Sequence, residues 1–103
     1  MINFIKQLFS GNKTDYATLI KDGALILDVR SKNEFAGGHI KGSLNIPVDA
    51  LKTNIGQLKN KEQTIITCCA SGMRSAVAKN ILKSNGFQNV YNGGSWGSLQ
   101  NKM

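Results

Sequence analysis

The stretch "TCCASGMRS", residues 67–75, places two adjacent cysteines beside a glycine and an arginine, and no other cysteine occurs in the 103 residues. The reactive form of a cysteine is the thiolate. A cysteine that ends a strand and opens a tight glycine-containing loop into a helix has its sulfur ringed by backbone N–H groups. Such groups hold an anion and lower a thiol pKa to about 3.5–7.5. Arg74, on the first turn of the expected helix, adds a permanent cation with a forked donor set. Neighbouring side chains of a strand point to opposite faces, so only one of the two sulfurs can face the loop. Cys69 opens "ASGMR" and is the candidate nucleophile, with Ala70, Ser71, Gly72, Met73, Arg74 and Ser75 as its cradle. Cys68 is still in the strand and is expected to pack as a small hydrophobe. A resolving thiol that protects Cys69 from over-oxidation is the alternative.

Other chemistries have less support. Cys68, Cys69 and His39 supply at most three metal ligands, two of them adjacent in sequence, which matches no metal-site spacing. No metal or other cofactor is expected. His39, the single histidine, sits in "GGHIKG", a turn in which the ring is expected to bond backbone. The net charge of +7 comes from lysines scattered from Lys6 to Lys102, with no dense run and few interleaved aromatics, so nucleic acid is not expected as a partner. The same field favours small anionic substrates.

The elements that must position this loop alternate along the chain. "TDYATLIKDG" reads as a short helix capped by Thr14 or Asp15 and stopped at Gly23, and "ALILDV" follows as an apolar run of strand length. "SKNEF" fits a capping box of Ser31 with Glu34, and Glu34 is given no other part. "SLNIPV" is strand-like, and "DALKTNIGQLK" predicts a helix with Asp49 as N-cap and Leu51, Ile55 and Leu58 on one face, weakened by Gly56. "TIITC" is a β-branched strand, and "RSAVAKNILKSNGF" is a helix with Ala78, Ile81 and Leu82 on one face and Gly86 at its C-terminal stop. "NVY" makes a last short strand, and "GGSWGSLQNKM" a loop with at most one terminal helical turn.

This order predicts an α/β fold with a central, mostly parallel sheet of four to five strands and helices on both faces, joined by right-handed crossovers. Ligands of such sheets sit beyond the carboxyl ends of the strands. "LDVR" and "TCCASGMRS" both lie at such ends. The length suits one core, assigned to residues 14–103. Residues 1–13 read as an amphipathic segment, with Ile2, Ile5 and Phe9 at roughly helical spacing, expected to dock on the domain. The N-terminus lacks a secretory apolar core, and the aliphatic run "ALIL" is too short for a bilayer, so a cytoplasmic protein with no membrane partner is expected.

Two stretches in this order resemble a known family. "LDVRSKNEFAGGHIKGSLNIP", residues 27–47, is similar to the amino-terminal signature of the rhodanese family, and "CASGMRSAVAKNILKSNGFQNVYNGGSW", residues 69–96, to its active-site loop, following helix and closing glycine pair with tryptophan. The resemblance implies a single-domain rhodanese-like sulfurtransferase. By position, Cys69 matches the family's catalytic cysteine and Ala70–Arg74 its loop, with Ser75 starting the helix. Asp28 and Arg30 match residues that support the loop from the neighbouring strand. The residues alone also allow a simpler account, with Asp28 as a turn former and Arg30 as its ion-pair partner. Trp96 is expected to cover core or pocket rim.

The implied reaction passes sulfane sulfur from a donor such as thiosulfate through a Cys69 persulfide to cyanide or a thiol, for instance a thioredoxin-like one. Amides aimed at the outer sulfur would stabilise the anions without a general base. Two alternatives stand beside it. Related phosphatases and arsenate reductases carry one more residue between cysteine and arginine than the four found in "ASGM", and a shorter loop suits a single sulfur better than a tetrahedral phosphate. A redox-sensing or protein-docking module would use the same loop differently.

Overall fold

Strand-length apolar runs separated by capped helical segments favour parallel pairing, and the computed structural model, which describes residues 14–103, has that arrangement. The amphipathic reading of residues 1–13 lies outside the described residues. Helix α1, Tyr16–Lys21, starts at Asp15, whose carboxylate accepts the Thr18 amide at 3.1 Å. Strand β1 is Leu25–Asp28, α2 is Lys32–Ala36, and β2 is the two-residue Leu44–Asn45. The capping box of α2 is complete: the Ser31 hydroxyl accepts the Glu34 amide, and the Glu34 carboxylate accepts the Ser31 amide. Strand β3 is Ile65–Cys69, α4 is Met73–Ser84 and β4 is Val90–Ser95. The sheet order is β2-β1-β3-β4 with every pairing parallel, four strands in all.

Three segments differ from the sequence expectation. The helix predicted from Asp49 is a 3₁₀ turn at Val48–Ala50, one α-helical turn at Leu51–Asn54 (α3) and a second 3₁₀ turn at Ile55–Gln57. Asp49 lies inside the first turn and caps nothing. The side chains of Thr53 and Asn54 both donate to the Ala50 carbonyl, at 3.1 and 2.8 Å, and such local bonds compete with a continuous helix. The last strand runs four residues beyond "NVY", and the expected terminal loop is a full helix, α5 at Trp96–Asn101, capped by Ser95 accepting the Ser98 amide. Third, "SLNIPV" pairs only through Leu44 and Asn45.

Burial alternates along the strands and divides the core in two. Leu27, Ile65, Cys69 and Val90 pack with Leu51, Ala78 and Leu82 on the face covered by α3 and α4. Ile26, Ile66 and Cys68 pack with Ile40 and Leu99 on the other face, beside residues of α1 and Trp96. Gly93 is needed where β4 crosses β3: a Cβ there would lie 2.9 Å from the Thr67 carbonyl oxygen and from Ile66 Cγ2. No helix among the described residues is long and apolar enough to cross a membrane.

Candidate active site

The chain leaves β3 at Cys69, turns through Ala70–Gly72 and enters α4. The turn closes because Gly72 adopts φ +102°, a left-handed conformation that a side chain would strain. This brings two amides onto one sulfur. Cys69 Sγ accepts from Gly72 N at 3.0 Å and from Ser75 N at 3.3 Å, and Ser75 Oγ lies 3.4 Å away. The sulfur therefore sits at the amino end of a twelve-residue helix, where unsatisfied N–H groups and the helix dipole favour an anion. Burial of Cys69 works to raise its pKa, but the Ser75 hydroxyl and the Ser75, Gly72 and Ser71 amides outweigh it and hold the thiol below its ordinary value.

Cys68 is on the opposite face, fully buried among Ile26, Ile66 and Leu99. Burial, with a smaller contribution from the Asp28 carboxylate, pushes its thiol up to about 12, so it stays neutral at ordinary pH. The alternation of strand side chains separates the two sulfurs as expected.

The other candidates fall into distinct positions. Ala70, Ser71 and Met73 are exposed, Gly72 and Arg74 half-buried, and Ser75 buried. Asp28 and Arg30 form a buried pair on the Cys68 side of the sheet, the Asp28 carboxylate accepting from Arg30 N at 3.0 Å, Nε at 3.0 Å and Nη2 at 2.7 Å. Arg30 also donates to the Gly38 and Glu34 carbonyls, and its guanidinium lies 4.7 Å from the Trp96 ring centre. None of these bonds reaches Cys69. The pair instead anchors α2 and the turn after it. Trp96 covers Arg30 and touches Gly38, so it belongs to the core on that side. His39 stacks on Phe35 with ring centres 3.7 Å apart, and its Nδ1 lies 2.8 Å from the Phe35 carbonyl oxygen.

Two residues matter more than their sequence context suggested. Glu34, assigned to the capping box alone, also grips Arg74 across 40 residues, with Nη1–Oε1 at 2.7 Å and Nη2–Oε2 at 3.0 Å. That guanidinium, with the bonds from Ser31, holds the Glu34 carboxyl down to about 2. The second is Asn92. A register shift between Thr67 and Cys69 swings β4 so that Asn92 Oδ1 lies 2.6 Å from Ser75 Oγ and accepts Gly94 N at 3.0 Å, while its Nδ2 faces the Gly72 carbonyl at 3.3 Å. One amide thus ties β4 to both ends of the cysteine loop. Its only trace in the sequence is a polar residue directly after the expected strand "NVY", and in the structure its half-buried amide finds these partners. Beside the loop, Arg74, Lys32, Asp49, Val29, Pro47 and Val48 line a cleft of about 360 Å³.

Comparison with known proteins agrees with this arrangement. Residues 12–97 match the sequence profile of the Rhodanese-like domain family. YqhL of Bacillus subtilis, described as uncharacterized, is 38% identical over 69 residues, 67% of this chain and 54% of its own length. The thiosulfate sulfurtransferase PspE of Escherichia coli is 33% identical over 69 residues, 66% of each chain. The chain thus spans about half the length of YqhL and just under two thirds of PspE. Among solved structures, the human single-domain sulfurtransferase TSTD1 superposes with a TM-score of 0.72 at 28% identity, covering 84% of this chain and 90% of its own. A profile match over most of the chain and a parallel sheet presenting one cysteine in an amide-lined loop lead to one family: the chain belongs to the rhodanese-like domain family.

Proposed function

We propose that the protein is a sulfurtransferase that carries sulfane sulfur on Cys69. The observation that carries this reading is the convergence of the Gly72 and Ser75 amides on a single sulfur whose thiol is held below its ordinary pKa. Kinship with a thiosulfate sulfurtransferase supports it. In the first step the Cys69 thiolate attacks the outer sulfur of the donor and the donor's S–S bond breaks. The leaving group takes the bonding pair, as sulfite from thiosulfate or as a thiolate from an organic persulfide. Cys69 is left as a persulfide anion, whose outer sulfur the same amides and the start of α4 stabilise. In the second step cyanide or an acceptor thiolate attacks that outer sulfur, and the Cys69 thiolate leaves. No proton transfer is obligatory, which fits a loop with no histidine in it. A small anionic donor and a protein or low-molecular-weight thiol acceptor are the partners this chemistry calls for.

Intact mass after incubation with thiosulfate or an organic persulfide tests the reading. One added sulfur, about 32 Da, removable by cyanide, is expected on wild type and on Cys68→Ser and absent from Cys69→Ser. No gain with either donor would move the weight to a redox or docking role for the same loop.

A further inference from the structure

The described part of the chain contains both arginines, Arg30 and Arg74, and each is paired: the two salt bridges among the described residues are Asp28–Arg30 and Glu34–Arg74. The first is buried on the far side of the sheet. The second stands at the mouth of the cysteine loop, half-exposed, with both terminal nitrogens of Arg74 engaged end-on by both oxygens of Glu34. Two of the five N–H groups of a guanidinium are used in this way, and three are left to donate from a pair that carries no net charge. The adjoining cleft adds Lys32 and Asp49, so the four formal charges around it, Arg74, Lys32, Glu34 and Asp49, cancel. A chain of net charge +7 therefore presents a locally neutral cleft beside its cysteine loop.

We propose that Glu34 is a specificity-determining residue that disfavours donors with a doubly charged leaving group. The inference rests on the sulfurtransferase reading above. Thiosulfate must release sulfite, and as it does so negative charge gathers on the three oxygens facing away from Cys69. A free guanidinium would stabilise that charge, whereas one already neutralised by Glu34 offers hydrogen bonds without net attraction, and the carboxylate itself repels the oxygens. An organic persulfide with an uncharged carbon chain releases a singly charged thiolate and depends less on Arg74. The apolar wall of the cleft formed by Val29, Pro47 and Val48 suits such a chain. The resting protein is thus tuned toward organic persulfides.

The test compares kcat/KM for thiosulfate and for 2-hydroxyethyl persulfide in wild type, Glu34→Gln, Arg74→Gln and the double variant. Gln at this position keeps the capping box, since its side-chain oxygen can still accept the Ser31 amide. Thermal melts check that each variant is folded. The ratio of thiosulfate to persulfide kcat/KM is expected to rise about fivefold in Glu34→Gln, the upper value of a half-exposed ion pair. The rise should appear in kcat/KM for thiosulfate with kcat contributing, weaken with added salt, and vanish when Arg74 is already Gln. A ratio that is unchanged or falls in Glu34→Gln overturns the proposal, as does a rise that persists in the Arg74→Gln background. If wild type gains no sulfur from either donor, it is the sulfurtransferase reading that fails. Sulfur loading with no shift of the ratio defeats the donor preference alone.

Discussion

The Ser75 hydroxyl has one hydrogen and three neighbours: Asn92 Oδ1 at 2.6 Å, the Gly72 carbonyl at 3.0 Å and Cys69 Sγ at 3.4 Å. In the neutral site the thiol donates to Ser75 Oγ, and the serine donates to Asn92. On ionisation the serine proton is free to turn to the sulfur, which is how this side chain lowers the Cys69 pKa. Ser75→Ala keeps the backbone amide and removes that bond, so the Cys69 pKa rises. The acid limb of the sulfur-loading rate against pH is expected to move to higher pH, and an unshifted limb would mean that the amides alone hold the thiolate. Cys68→Ser should leave loading intact while placing a hydroxyl among Ile26, Ile66 and Leu99, at a cost of about 1–3 kcal/mol in urea unfolding. At this scale the choice between the cysteines was legible because strand alternation is strict. The roles of Glu34 and Asn92 were not. Their partners lie 40 and 17 residues away, and no local pattern encodes which distant group a carboxylate or amide will meet.

Elements hold the loop through β4 rather than through β1, where the sequence resemblance directed attention. Asn92 reaches Ser75 and Gly72 because β4 shifts register against β3, and the close passage at Gly93 makes that shift possible. Asn92→Ala leaves the strand pairing in place but frees the loop from it. The rate of sulfur loading is expected to fall about 10- to 100-fold, the range for a modestly misplaced reacting group. A fall in the loading rate without a matching fall in the urea midpoint would separate positioning from folding. Gly93→Ala, by contrast, drives a methyl against backbone and the branched side chain of Ile66, and should destabilise the protein by about 1–3 kcal/mol. The alternation of strands and helices was readable from apolar runs and caps. The fragmentation of Val48–Gln57 and the helix at Trp96–Asn101 were not, since the first turns on Thr53 and Asn54 bonding back to Ala50, and the second on a serine cap hidden in a glycine-rich stretch.

Over the whole molecule the two cysteines pull stability in opposite directions as pH changes. The folded pKa of Cys69 lies below its ordinary value of 9.0, so between that lowered value and 9.0 the unfolded chain binds more protons than the folded one. Stability rises with pH across that window, and this contribution is complete above 9.0. The folded pKa of Cys68 is pushed up from 9.0 to about 12, so from 9.0 upward the folded chain holds a proton that the unfolded chain has lost. Stability then falls with pH, with a limiting slope of about 1.4 kcal/mol per pH unit for one proton. Together the cysteines place a maximum near pH 9. At the acid end, Glu34 contributes stability that is whole above 4.5 and is lost as pH falls toward about 2, well clear of the cysteine window. Differences between wild type and each of Cys68→Ala and Cys69→Ala isolate each sulfur. Urea midpoints measured under reducing conditions from pH 6 to pH 10.5 should show Cys69→Ala losing the rising limb and Cys68→Ala losing part of the falling one. The reverse assignment would place the thiolate on Cys68 and invert the site, because the thiol whose ionisation the fold favours is the one that can carry sulfur.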